Sequence, residues 1–269
     1  MVSNNEKQKL HIKGAGLIME QLYVTGVIQN YHQLQNDLDT LKNILKSRLP
    51  NPDDRLEYVD QKLVAKYQTD CKYETDIIGL NRFLDDLNLL VHVAKIDYKD
   101  LKKNDPAILK RIDLFKDPIE QYAKMNPNKL GAVNVTNTDY SGLSDYEVIR
   151  LWSSTKRKLE MTKQAIEESR KEMLTCPILK SERILSSSFG SVSLIDKDPT
   201  YDIGQIYDFM GSNFLIRYSK PDFKTILMDL IPNGQLTYED LQRFRCVKSI
   251  GMKFTITNLE ETENGGEIA

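Results

Sequence analysis

Apolar residues recur along this chain at alternating steps of three and four. From Leu56 the steps land on Val59, Leu63, Lys66, Asp70, Tyr73, Ile77, Leu80, Leu84, Leu87, Val91, Ala94, Tyr98 and Leu101, and twelve of the fourteen are apolar. That is a heptad stripe held in one register. It predicts a single helix over 53–103, a rod of roughly 75 Å. The same stepping from Leu17 through Glu20, Val24, Val27, Tyr31, Leu34, Leu38, Leu41 and Leu45 to Arg48 is apolar at eight of ten positions and predicts an earlier helix ending near Leu49. Gly26 weakens it by about 1 kcal/mol relative to alanine. In Leu49-Pro50-Asn51-Pro52-Asp53-Asp54, Pro50 stops the first helix, Asn51 can cap the second, Pro52 suits its first position, and the aspartates oppose its dipole. So short a connection predicts antiparallel neighbours whose stripes close on each other.

The arms are unequal, so the end of the second helix protrudes. Its stripe there, Leu87, Val91, Ala94, Tyr98 and Leu101, is the candidate partner-binding surface. It is covered either by a later segment of this chain or by another protein. Lys66 and Asp70 interrupt the stripe, either as a buried pair that sets register or as long stems with solvated heads.

Beyond the hairpin, Pro106 to Lys116 predicts a short helix, with a further turn or two to Met125. Residues 126–143 are rich in Asn, Thr, Ser and Gly and predict a linker loop. Ser144 and Glu147 form a capping box that opens a helix over about 145–174, stopped at Cys176-Pro177. In it Trp152, Leu159, Ile166 and Met173 alternate with Thr155, Thr162 and Ser169, so this helix leans on the hairpin. Strands are predicted within 184–195, at Asn213–Tyr218 and at Met252–Thr257, with helical spacing over Pro221–Ile231 and a helix capped by Thr237. The fold class is therefore mainly α: a long antiparallel, coiled-coil-like helical hairpin plus additional helices, then a small α+β C-terminal domain. Its parts are an N-terminal arm (1–15), the hairpin with covering helices (16–125), the linker (126–143), the added helix (144–176), the α+β domain (177–259) and an acidic disordered tail (260–269).

Charge and chemistry narrow the function. The net charge of −2 gives no whole-chain case for nucleic acid or acidic membranes. The most apolar window, 16–28, is broken by Glu20, Gln21, Thr25 and Gly26, so no membrane span is expected. Cys71, Cys176 and Cys246 are far apart and no CxxC occurs, which points to a reduced intracellular compartment, cytoplasm or nucleus. Thr175-Cys176-Pro177-Ile178 resembles the opening of a RING-type ligase domain, but the ligands that follow are too few for zinc. His11, His32 and His92 have no partner at metal-ligand spacing, and no phosphate loop, nucleophile elbow or metalloprotease motif occurs. No catalytic, cofactor-binding or metal-binding residue is assigned, and no cofactor.

Residues 226–241 have a helix, turn and capped-helix rhythm similar to winged-helix modules, and Arg243, Arg245, Lys248 and Lys253 make that end basic. The expectation is a non-enzymatic interaction subunit of an intracellular multiprotein assembly, or a chain that self-associates through the stripe. The alternatives are a nucleic-acid-binding or viral or plasmid structural protein, and an enzyme with an unrecognised site.

Overall fold

Gly26 divides the first predicted helix in two. In the computed structural model, which describes residues 14–259, α1 spans Ala15–Val24 and α2 spans Val27–Ser47. Gly26 sits between them at φ 74°, a left-handed conformation that closes α1. The amides of Thr25 and Gly26 donate to the carbonyls of Gln21 and Tyr23, satisfying orphan acceptors at the helix end. Most of the N-terminal arm, His11 and the acidic tail lie outside the described residues.

The rod over 53–103 is not formed, and with it the predicted mainly-α hairpin falls. Asn51–Asp54 makes a turn closed by the Asp54 amide on the Asn51 carbonyl, 3.1 Å, where the reading placed a helix cap. There follow β1 (Arg55–Tyr58), β2 (Leu63–Thr75), α3 (Ile77–Asp86), α4 (Leu90–Val93), β3 (Ala94–Ile96) and α5 (Tyr98–Asn104). The local chemistry favours this. Tyr67, Thr69, Cys71, Tyr73 and Thr75 alternate along β2, β-formers on every second residue. Lys62 and Asn88 hold left-handed φ values, 52° and 59°, which no continuous helix tolerates. Asp76 and Asp97 accept from the Gly79 and Asp100 amides and start new helices.

The remaining elements are α6 (Pro106–Arg111), β4 (Gln121–Pro127), α7 (Asp145–Leu174), α8 (Pro177–Glu182), β5 (Ile184–Ser187), β6 (Gly190–Asp196), α9 (Ile203–Met210), α10 (Ser212–Tyr218), β7 (Ser219–Pro221), α11 (Phe223–Thr225), α12 (Tyr238–Gln242) and β8 (Arg245–Asn258). Two further expectations are corrected. Asn213–Tyr218 is helical, not a strand, and the turn expected up to Met125 is strand β4.

The chain divides into two units, each assembled from separated segments. The first holds the described residues up to Asp70, Gln121–Ile195 and Met252 onward; the second holds Cys71–Glu120 and Asp196–Gly251. Residues 177–259 are thus shared between both.

In the first unit the apolar face of α2 is covered by α7, not by residues 53–103. The two helices run antiparallel. Arg48, just past α2, pairs with Asp145 at the start of α7, and Asn30 near the start of α2 reaches Thr162 in the middle of α7 at 3.4 Å. Leu41 and Leu45 share a core with Val148, Ile149 and Trp152, together with Leu63 of β2 and Phe254 of β8. Each fully buried leucine there contributes roughly 1.5–3 kcal/mol. A second core joins α1, the far half of α7 and α8 to the three-stranded sheet β4-β6-β5, through Met19, Met173, Leu179, Leu185 and Val192.

In the second unit α3 presents Leu80 and Leu84 to Leu101, Ile206, Leu215, Ile226 and Leu230, with the antiparallel pair β3-β7 beside them. Asn81 is fully buried there.

Candidate functional site

Among the described residues, three surfaces are candidate sites, two in the first unit and one in the second.

The first is a cleft of about 370 Å³ reached by α1, α2, β4 and α7. Tyr23 comes from α1 and stacks on Phe189, ring centres 5.0 Å apart and 7° from parallel. Burial pushes its phenol pKa upward, so at neutral pH it stays a proton donor. Tyr31 and His32 come from the next helix, edge to face at 5.4 Å, and the Tyr31 hydroxyl accepts from Gln35 Nε2. Lys163, Glu167 and Arg170 line the other wall from α7, one to two turns apart. Arg170 Nη1 donates to Glu167 Oε1 at 2.5 Å, while Arg170 Nε is buried without an acceptor among the described residues. Ile28, Ile166 and Met125 give the cleft its apolar lining.

The second is a shallower cleft of about 280 Å³ on the exposed side of α7, lined by Arg150, Ser153, Ser154, Arg157 and Lys158, with Gln61 and Met161 at its edge. Its lining contains three cations and no carboxylate.

The third, in the second unit, is an apolar patch. The turn Asp113–Phe115 packs against α9, and Phe115 and Phe209 stand 5.4 Å apart. Phe209 is 71% exposed, and Leu114, next to Phe115 in the chain, is 89% exposed. Arg111 reaches Met210 Sδ at 3.7 Å beside them, and Lys116 pairs with Asp113, so the apolar surface has a polar rim.

The five residues expected to form one docking stripe lie on several elements. Ala94 and Leu101 are buried in the core of the second unit. Tyr98 is half-buried, and Leu87 and Val91 are 43% and 37% exposed. The stripe that would have aligned them does not exist, because 53–103 is not one helix. The C-terminal basic residues are largely engaged: Arg243 faces Asp240 at 3.4 Å, Lys248 faces Glu74 at 4.0 Å, and Arg245 lies over the Tyr73 and Phe223 rings at 3.9 and 5.0 Å. The three cysteines are free thiols. Among the described residues no group of three or more His, Cys, Asp or Glu is placed to hold a metal ion, and no helix is long and apolar enough to cross a membrane.

Sequence reasoning missed Leu114 and Phe209. A signal for the second was present. Asp202 and Gly211 bracket α9, whose Ile203, Ile206, Tyr207 and Met210 face inward, leaving Phe209 as a large aromatic off the inward stripe. No family model, curated protein or solved structure matches this chain.

Proposed function

We propose that this protein is a non-enzymatic interaction subunit of a multiprotein assembly in a reducing intracellular compartment. It docks a partner's apolar face on the Leu114–Phe209 patch. The observation that carries the reading is the exposure of two large apolar side chains, Phe209 at 71% and Leu114 at 89%, on segments joined by the Phe115–Phe209 ring contact, with charged groups nearby. Large apolar side chains exposed in one neighbourhood cost solubility and mark association sites. An apolar centre with a polar rim is the anatomy of a protein interface. Covering both side chains would contribute roughly 1.5–3 kcal/mol each.

A photocrosslinker placed at position 209 in cells that make the protein tests this. One discrete crosslinked partner, lost when Leu114→Asp is added, is the expected result. Crosslinks that are absent, or that ignore the Leu114 change, would sink the reading. A crosslink to a second copy would replace the foreign partner with self-association.

The second reading, nucleic-acid contact, is favoured by one observation, and it moves the surface away from the C-terminus. Arg150, Arg157 and Lys158 on α7 have no ion pair or side-chain hydrogen bond with another described residue, and they line one open cleft. Cations so placed contact phosphates without reading sequence. A fluorescent single strand should then bind at low salt, weaken steeply as salt rises, and fail to bind the Arg150→Glu, Arg157→Glu double variant. No binding at low salt removes this reading.

A further inference from the structure

We infer that the cleft between α1, α2, β4 and α7 is a binding site for a small monoanion with an apolar or aromatic body, a carboxylate being the simplest. It lies in the first unit, carried by residues distinct from both surfaces proposed above, and does not rest on either.

The size and composition set the class. About 370 Å³ falls within the ordinary range of small-ligand sites, which combine an apolar lining with a few converging polar groups. Ile28, Ile166 and Met125 supply the apolar contact. The polar groups are mostly donors: the phenols of Tyr23 and Tyr31, the Lys163 ammonium and the Arg170 guanidinium. Glu167 is the one carboxylate of the lining, and it is already engaged by Arg170 Nη1. Two fixed cations against one carboxylate leave a single positive charge, which matches a monoanion better than a dianion or a cation. His32 adds a ring nitrogen that serves as donor or acceptor.

The second observation is Arg170 Nε. It is buried and has no acceptor among the described residues. Left unpaired, such a donor is destabilising, and Arg170 lines the cleft as a charge-assisted donor to an anionic oxygen. The walls are also set in place beforehand. Tyr23 and Tyr31 approach from either side of the Gly26 break, and Ile28 and Ile166 are anchored in the core.

The full chain carrying ¹³C-methyl methionine, titrated with benzoate and followed by NMR, tests the inference. Benzyl alcohol and benzylamine serve as neutral and charge-reversed controls. Benzoate should move the Met125 methyl signal and leave that of Met228, in the other unit, in place. Benzyl alcohol should bind more weakly and benzylamine not at all. Lys163→Glu, an exposed position whose circular dichroism should match the parent's, should weaken benzoate about tenfold, and Tyr23→Phe should weaken it by a smaller factor. An unmoved Met125 methyl, an equal response to benzyl alcohol, or parent-like affinity in Lys163→Glu would each overturn the site.

Discussion

Asn81 shows how a single buried side chain fixes the second unit. Its Nδ2 donates to the carbonyls of Ile216 and Ser219, both at 3.1 Å, and so satisfies acceptors at the end of α10. Ser219 Oγ donates to the Leu215 carbonyl at 2.6 Å. The site is lined with acceptors and asks for a donor. Asn81→Asp places a carboxylate against those carbonyls and should cost more than about 3 kcal/mol. Asn81→Leu leaves the acceptors unpaired and should cost about 1–3 kcal/mol. Urea unfolding decides the order: equal midpoints for the two variants would mean that the carbonyls do not sense the residue. Asp97 makes a different case, on the surface. The Lys220 ammonium, 2.8 Å away, and the Asp100 amide hold its carboxyl below the usual range, and Lys220 is raised in turn by Asp97. A depressed carboxyl stabilises the fold above its unfolded pKa, about 4, and the gain is lost as pH falls through the folded value. A raised lysine stabilises below its own unfolded pKa and loses the gain in strong base. Asp97→Asn keeps an oxygen for the cap and removes the charge. It should cost under about 1 kcal/mol at neutral pH and progressively less as acid titrates the folded carboxyl. A loss that does not shrink as pH falls would assign the effect to the cap.

Elements were legible where one local signal decided them and illegible where two periods coincide. The Ser144–Glu147 capping box is formed as the sequence indicates, with the Ser144 amide donating to Glu147 Oε2 at 2.8 Å, and it opens the longest helix, α7. The leucine stripe from Leu34 to Leu45 does face a helix, but that helix begins almost a hundred residues later. Three-four stepping and strand alternation coincide ten residues apart, so Leu63 and Tyr73 of β2 satisfy both. The β-branched and aromatic residues of β2, and the cap at Asp76, break the tie toward strand and new helix. Gly26 allows the competing readings to be separated by experiment. Were α1 and α2 one helix, Gly26→Ala would stabilise it by about 1 kcal/mol. At φ 74° with open space where a Cβ would point, the same change instead pays the left-handed penalty of about 1–2 kcal/mol. A drop in the thermal midpoint is expected, and a rise would restore the continuous helix.

The whole molecule was the least legible scale, because its units are built from contacts between distant segments. The four crossings between units, after Asp70, Glu120, Ile195 and Gly251, leave no mark in composition. The surfaces follow the same logic. Lys163 and Arg170 are readable as one face of α7, but the phenols opposite them come from more than a hundred residues upstream, and Leu114 is exposed because no other described segment covers it. The last 93 residues look self-contained in sequence, with hairpin, helices and a final strand. In the structure Leu179, Leu185 and Val192 are buried against α1 and α7, while Ile206, Leu215, Ile226 and Leu230 are buried against α3 and α5. A fragment of residues 177–259 therefore carries half of two cores and completes neither. Apolar side chains left without a partner surface cannot offset the entropy of ordering the chain. Expressed alone, the fragment should lack a cooperative unfolding transition and show poorly dispersed amide NMR signals. A sharp transition from that fragment would show that it folds without the segments it is packed against in the full chain.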